Sequence, residues 1–168
     1  ALAAVHHNTG RLIDYELWDP ISDPVTQELI RRGDTMGCFY VESPATRLLL
    51  KKLWTTMPQA RRAHADVFEY LVVVSSIIRP AANVYADDFI RRSHGHPYRS
   101  WHPLLDEVLA ETHGIMVYQE DVMKVAVALG GFSVHDGDQL RKILSKKHKE
   151  RQLRDYQRQF YEGAAARD

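Results

Sequence analysis

The chain has 168 residues, 45% of them apolar, and its 22 Lys/Arg balance 22 Asp/Glu to a formal net charge of zero. That is enough chain for one domain with a sizeable core, and the bulk charge gives no argument for a polyanionic partner. The single cysteine, Cys38, excludes an internal disulfide and fits a reducing cytoplasm; the apolar stretch Leu71 to Ile78 falls well short of the roughly 20 residues that cross a bilayer, so no membrane partner is expected.

Taken in chain order, helix signals dominate. The start, Ala1-Leu2-Ala3-Ala4-Val5, has no Met and reads as the tail of a helix; both ends are expected to be cuts in a longer polypeptide. Asp23-Pro24 supplies an N-cap and a first-turn proline, and Gly33 closes that helix after Ile30-Arg31-Arg32. Thr35 to Val41 is β-prone and reads as a short strand or an extended loop. Ser43-Pro44 opens the next helix, which Thr55-Thr56-Met57-Pro58 breaks. A long helix is expected from about Arg61 to Ile78, apolar all round in its later half and therefore central in the core. Shorter helices follow at Asp87 to Arg92, Pro103 to Glu111 and Gln119 to Leu129. Ser133 caps one running to about Lys147, and a charged helix spans Glu150 to Tyr161. The fold class is all-α, with at most one or two very short strands.

The run from Gly114 to Met123, Gly-Ile-Met-Val-Tyr-Gln-Glu-Asp-Val-Met, is too particular to be helix filler. It resembles the YGI-x-x-YQE-x-VM signature of the alpha subunit of bacterial family C replicative DNA polymerases. Two further stretches match in the same order. Cys38-Phe39-Tyr40-Val41-Glu42-Ser43 is similar to the family's VFQLES segment. Ile78-Arg79-Pro80 followed by Asp87-Asp88-Phe89-Ile90-Arg91-Arg92 is similar to its RPG and DFI-x-R segments. The resemblance covers about Gly37 to Gly163 and implies the fingers region, with residues 1–35 a connecting segment on the palm side and 36–168 the fingers.

From Gln139 to Asp168, nine Lys/Arg face four acids. Charge alone describes a solvated helix face as well as a phosphate-binding one. Lys142 and Lys146, four apart, share a side of a helix, and Leu140, Ile143 and Leu144 fall opposite. The segment Leu140-Arg141-Lys142-Ile143-Leu144-Ser145-Lys146-Lys147 resembles the family's LRRAMGKKK, whose arginine pair lies near the incoming triphosphate. By this resemblance Arg141, Lys142 and Arg79 contact the triphosphate, and Lys146 and Lys147 contact phosphate or DNA backbone. Arg91 and Arg92, with His94, His96 and Arg99, read as a second phosphate- or DNA-backbone-facing patch or as a solvated loop. The sequence departs from the pattern at Lys142, where arginine's two-pronged grip is lost, at Tyr40 for Gln, and at Ala81-Ala82 for Gly-Pro. Glu42, Gln119 and Glu120 read as capping or pairing residues.

Other chemistries find no support. The histidines, His6-His7, His94, His96 and His102 among them, lack zinc-ligand spacing, and no HExxH, Walker A loop or GxGxxG occurs. Asp87 and Asp88 point to different faces of a helix and make a poor metal pair. The resemblance implies deoxynucleotidyl transfer in DNA replication, with Mg²⁺ held by palm aspartates upstream; this chain is expected to hold no Asp-x-Asp pair of that kind, no metal, and no activity alone. The implied partners are primer-template DNA, a deoxynucleoside triphosphate, the remaining polymerase domains and, through the parent, a sliding clamp. A helical protein–protein interaction module is the alternative, and a self-contained metalloenzyme ranks behind both.

Overall fold

The computed structural model describes residues 2–14, 16–17, 19–78, 83–146 and 149–167. Regular structure among them is helical throughout, with no strand, so the fold is all-α. In chain order the helices are α1 (Leu2–Thr9), α2 (Pro24–Arg32), α3 (Pro44–Thr56), α4 (Gln59–Arg62), α5 (Val67–Ile77), α6 (Asn83–Ser93), α7 (Pro103–Val108), a 3₁₀ turn (Ala110–Thr112), α8 (Gln119–Ala128), α9 (Val134–Leu144) and α10 (Glu150–Ala165). None of the described helices is long and apolar enough to cross a membrane.

The punctuation read from sequence sets most boundaries. The Asp23 carboxylate accepts from the Thr26 amide at 2.8 Å, and Pro24 fills the first turn, where its missing N–H costs nothing. Gly33 ends α2 in the left-handed region at φ 67° and donates to the Ile30 carbonyl. Its own carbonyl accepts from Arg47 Nε at 3.0 Å, which ties the end of α2 to α3. Ser43 and Ser133 cap α3 and α9 by accepting from Thr46 and Asp136 amides.

Several expectations are corrected. The long helix from Arg61 to Ile78 is two: α4 stops at Arg62, and Asp66, extended at φ −74° and ψ 116°, accepts from the Phe68 and Glu69 amides to start α5 afresh. Its later half is not buried all round, for Val73, Val74 and Ile77 face the core while Phe68 and Val72 face outward. Thr35 to Val41 is neither strand nor extended loop but a chain of turns. Gly37 and Tyr40 both have positive φ, which breaks any pleat, and the buried Thr35 hydroxyl donates to the Val41 carbonyl at 2.6 Å. The Pro103 helix also ends early, at Val108, and tightens into the 3₁₀ turn.

The main apolar cluster joins α3, α5 and α6. Leu50, Leu53 and Trp54 pack against Val73, Val74, Phe89 and Ile90, and Trp54 meets the Tyr70 ring edge-on at 5.5 Å. Ile115 and Val117 extend this cluster toward α8. The Asp121 carboxylate, buried in the first turn of α8, accepts from the Val117 and Tyr118 amides at 2.9 and 2.8 Å and fixes that strap. Capping of α8 therefore falls to Asp121 and not to Gln119 or Glu120. Beyond the strap, α8 and α9 pair closely because Gly137 has no side chain to hold them apart: a Cβ there would lie 3.0 Å from Met123 Cγ. α10 closes this end through Phe132, which stacks near Tyr156 and Phe160 at 5.9 and 6.3 Å, and through backbone contact between Gly163 and Gly130.

Candidate functional site

Arg141 and Lys142 stand in the last turn of α9, where cations are favoured by the helix dipole. One turn earlier is Asp138, and residues three and four apart on a helix are neighbours. Its Oδ1 accepts from Arg141 Nε at 3.0 Å and from Nη2 at 2.8 Å, while its Oδ2 takes Lys142 Nζ at 2.6 Å. One carboxylate therefore brackets both cations. Hydrogen bonding first from Lys142 and then from Arg141 holds the Asp138 carboxyl below its ordinary value. Arg141 Nη1 points to Gln119 Oε1 at 3.4 Å, so the most distinctive motif in the sequence meets the basic segment here. Asp138 was missed by sequence reasoning, although its i−3 and i−4 spacing to the two cations was there to be read.

Of the other expected site residues, Lys146 is exposed just past α9. Arg79 and Lys147 lie outside the described residues. Arg91 and Arg92 belong to α6. Arg91 is exposed and 3.3 Å from Asp88, whereas Arg92 is largely packed away, donating to the His113 carbonyl at 2.9 Å with its guanidinium 4.3 Å from the Tyr98 ring centre. Arg141 and Lys142 are thus brought together on Asp138, and Arg91 and Arg92, on a separate element, likewise stand beside one carboxylate, Asp88, at 3.3 and 3.9 Å.

The sequence does contain one Asp-x-Asp triplet, Asp136-Gly137-Asp138, which corrects the expectation of none. Two residues apart on a helix, these side chains point to nearly opposite sides. Asp136 accepts from the Ser133 hydroxyl at 2.7 Å, and Asp138 is held by the two cations. Among the described residues no group of three or more His, Cys, Asp or Glu is placed to hold a metal ion. His94 is a packing residue, its Nε2 lying 2.9 Å from the Leu53 carbonyl.

A cleft of about 400 Å³ opens elsewhere, between α4, α5, α6 and the 3₁₀ turn, lined by Arg61, His64, Glu69, Tyr70 and His113 among others. His113 takes the left-handed region at φ 53°, and its Nε2 is 3.4 Å from the Tyr70 hydroxyl. Burial, and then the charges of Arg61 and Arg92, push its imidazole below the ordinary 6.5. Its walls come from segments far apart in the chain, and periodicity gave no sign of it.

Over residues 1–168 the sequence matches the family described as the bacterial DNA polymerase III alpha subunit finger domain. It is 36% identical over 148 residues to the DNA polymerase III subunit alpha of Chlamydia pneumoniae, covering 88% of this chain and 11% of that protein. Against the subunit of the same name from Neisseria meningitidis serogroup B it is 35% identical over 161 residues, covering 96% and 13%. Against that of Aquifex aeolicus it is 37% identical over 153 residues, covering 88% and 12%. The chain therefore spans between 11% and 13% of the length of these relatives.

Proposed function

The chain belongs to the bacterial DNA polymerase III alpha subunit finger domain family, and we propose that it is the nucleotide- and DNA-contacting fingers portion of a DNA-directed DNA polymerase. The observation that carries this reading is the bracketed pair at the end of α9. Arg141 spends its Nε–H and one Nη2–H on Asp138, so the second Nη2–H and the Nη1 pair remain to meet an anion, with Gln119 the one long contact among them. Lys142 adds a point charge beside it. Two cations fixed by a shared carboxylate need little reordering when a triphosphate arrives, and they offset charge that builds on the departing pyrophosphate.

On this reading residues 1–35 connect to the palm side and residues 36–168 form the fingers. Arg141, Lys142 and Arg79 meet the triphosphate; Lys146, Lys147, Arg91 and Arg92 meet phosphate or DNA backbone, with Arg91 better exposed for it than Arg92. The Mg²⁺ ions of transfer, the sliding-clamp contact and the cytoplasmic setting belong to the full-length polymerase. The exposed apolar side chains Leu12, Leu17, Ile21 and Val25, with Leu17 85% exposed, are those we assign to contact with the remaining polymerase domains.

The test is steady-state primer extension by the full-length polymerase carrying Arg141→Ala. The nucleotide KM rises or kcat falls by at least about tenfold, the loss of one charge-assisted contact in the transition state. Kinetics unchanged in both parameters would remove Arg141 from the triphosphate site.

A further inference from the structure

We propose that the outward face of α10, formed by Arg151, Arg154, Arg158 and Tyr161, is a track for single-stranded DNA. The proposal deepens the fingers reading, and the DNA in question is taken from it.

The helix is held rigidly from behind. Tyr156 and Phe160 pack on Phe132, and Gly163 rests directly on the Gly130 backbone. What faces solvent is a stripe at i, i+3, i+7 and i+10, the recurrence that keeps side chains on one side of a helix. Arg151, Arg154 and Arg158 are exposed, and Tyr161 is 62% exposed with its ring braced edge-on by Phe160 at 6.3 Å.

Carboxylate pairing alone does not single these cations out, since among the described residues Arg11 and Lys51 are likewise exposed with no carboxylate within 4.0 Å. What singles them out is their alignment on one helix face beside Tyr161. Arg32, Lys52, Arg62 and Arg91 each stand within 4.0 Å of a carboxylate. Among the described residues, Lys146, Lys149, Arg151 and Arg154 have no such partner. Arg158 has Asp155 at 3.6 Å, but both are well exposed, and such pairs exchange readily with a stronger anion. Asp155 and Glu162 lie along the same edge of the stripe, one turn on from Arg151 and Arg158, and confine an anion to the opposite edge, where Arg154 and Tyr161 stand. Arg151 to Arg158 spans about 10 Å of helix axis, which lets the three arginines reach neighbouring phosphates of one strand.

Arginines beside an exposed aromatic are what an unpaired strand requires. The guanidinium groups take phosphates, and the ring takes the face of a base that has no partner base to stack on. A duplex offers phosphates but no free base face, and a stripe one side chain wide does not span a groove.

The test is fluorescence anisotropy of the 168-residue chain with labelled oligothymidylate and with a duplex of equal length, across a salt series. Single strand binds more tightly than duplex, and log K falls linearly with log salt. The triple variant Arg151→Gln/Arg154→Gln/Arg158→Gln weakens binding at least about tenfold and flattens the slope by about 2, at roughly 0.7 per phosphate lost on a single strand. Tyr161→Ala weakens binding about tenfold and leaves the slope unchanged, and Tyr161→Phe restores it. Helical circular dichroism, unaltered by these exposed changes, excludes unfolding as the cause. A triple variant that binds like the parent, or a duplex preference indifferent to Tyr161→Ala, overturns the proposal. Arg141→Ala/Lys142→Ala retains oligothymidylate binding, so failure of the track and failure of the triphosphate assignment are read separately.

Discussion

Arg141 and Lys142 could be singled out from sequence because their charge, spacing and resemblance to a known basic segment all agree. Asp138, which orders them, was legible in position but not in role, since one carboxylate serving two cations depends on rotamers that spacing leaves open. Arg92 was legible only in part: Asp88, four residues back, lies 3.9 Å away, but its closer partner is the backbone of His113, 21 residues away. His113 carries a prediction of its own. Burial and the neighbouring guanidiniums keep it neutral to lower pH than the unfolded chain does. Between the two titrations the unfolded state binds the extra proton, so its contribution is full above the ordinary histidine range and declines as pH falls through that range toward the lowered folded value. Urea unfolding midpoints are therefore lower at pH 5.5 than at pH 7.5. His113→Asn, which tolerates the left-handed backbone, removes part of that decline; an undiminished decline would show that another group is responsible.

Helix boundaries were readable wherever a cap and a proline or glycine coincide, as at Asp23-Pro24, Ser43-Pro44 and Gly33. They were misread where an apolar pattern runs on past a cap. Asp66 begins α5 inside what looks like one continuous helix, because a single side chain that satisfies two amides outweighs periodicity. The turns at Thr35 to Val41 were hidden because β-prone residues there serve a buried hydroxyl and not a ladder. α10 was legible as a helix, while its docking was not, since the contact is glycine on glycine. A Cβ at position 163 would strike the Gly130 backbone, with no flexible side chain able to yield. Gly163→Ala accordingly destabilises the chain by about 1–3 kcal/mol, the usual cost of overpacking, despite alanine's better helix propensity. Chemical denaturation checks this, and an unchanged or raised midpoint would show that α10 is not seated there.

For the molecule as a whole the all-α class followed from helix signals in nearly every segment, but the layout did not. One apolar core joins α3, α5 and α6 and takes in the strap from Ile115 to Tyr118. Beyond it α8, α9 and α10 pack through Gly137, Phe132 and Gly163, and α1 has no buried residue. Native-state hydrogen exchange follows that order: amides of Leu50 to Trp54 and Val74 to Ile77 are the slowest, and those of α1 exchange at nearly unprotected rates. Uniform protection would mean that α1 is packed more firmly than its exposure allows. The distribution of charge has a further effect. The last 30 residues carry nine cations and four acids, which leaves the preceding 138 with 13 cations and 18 acids. A chain of zero net charge is thus five units positive at one end of its sequence and five negative over the rest. Such a body feels little pull toward a distant polyanion but a torque as it nears one, so that it turns its C-terminal helices forward before contact and favours productive collisions without the non-specific adhesion of a basic protein.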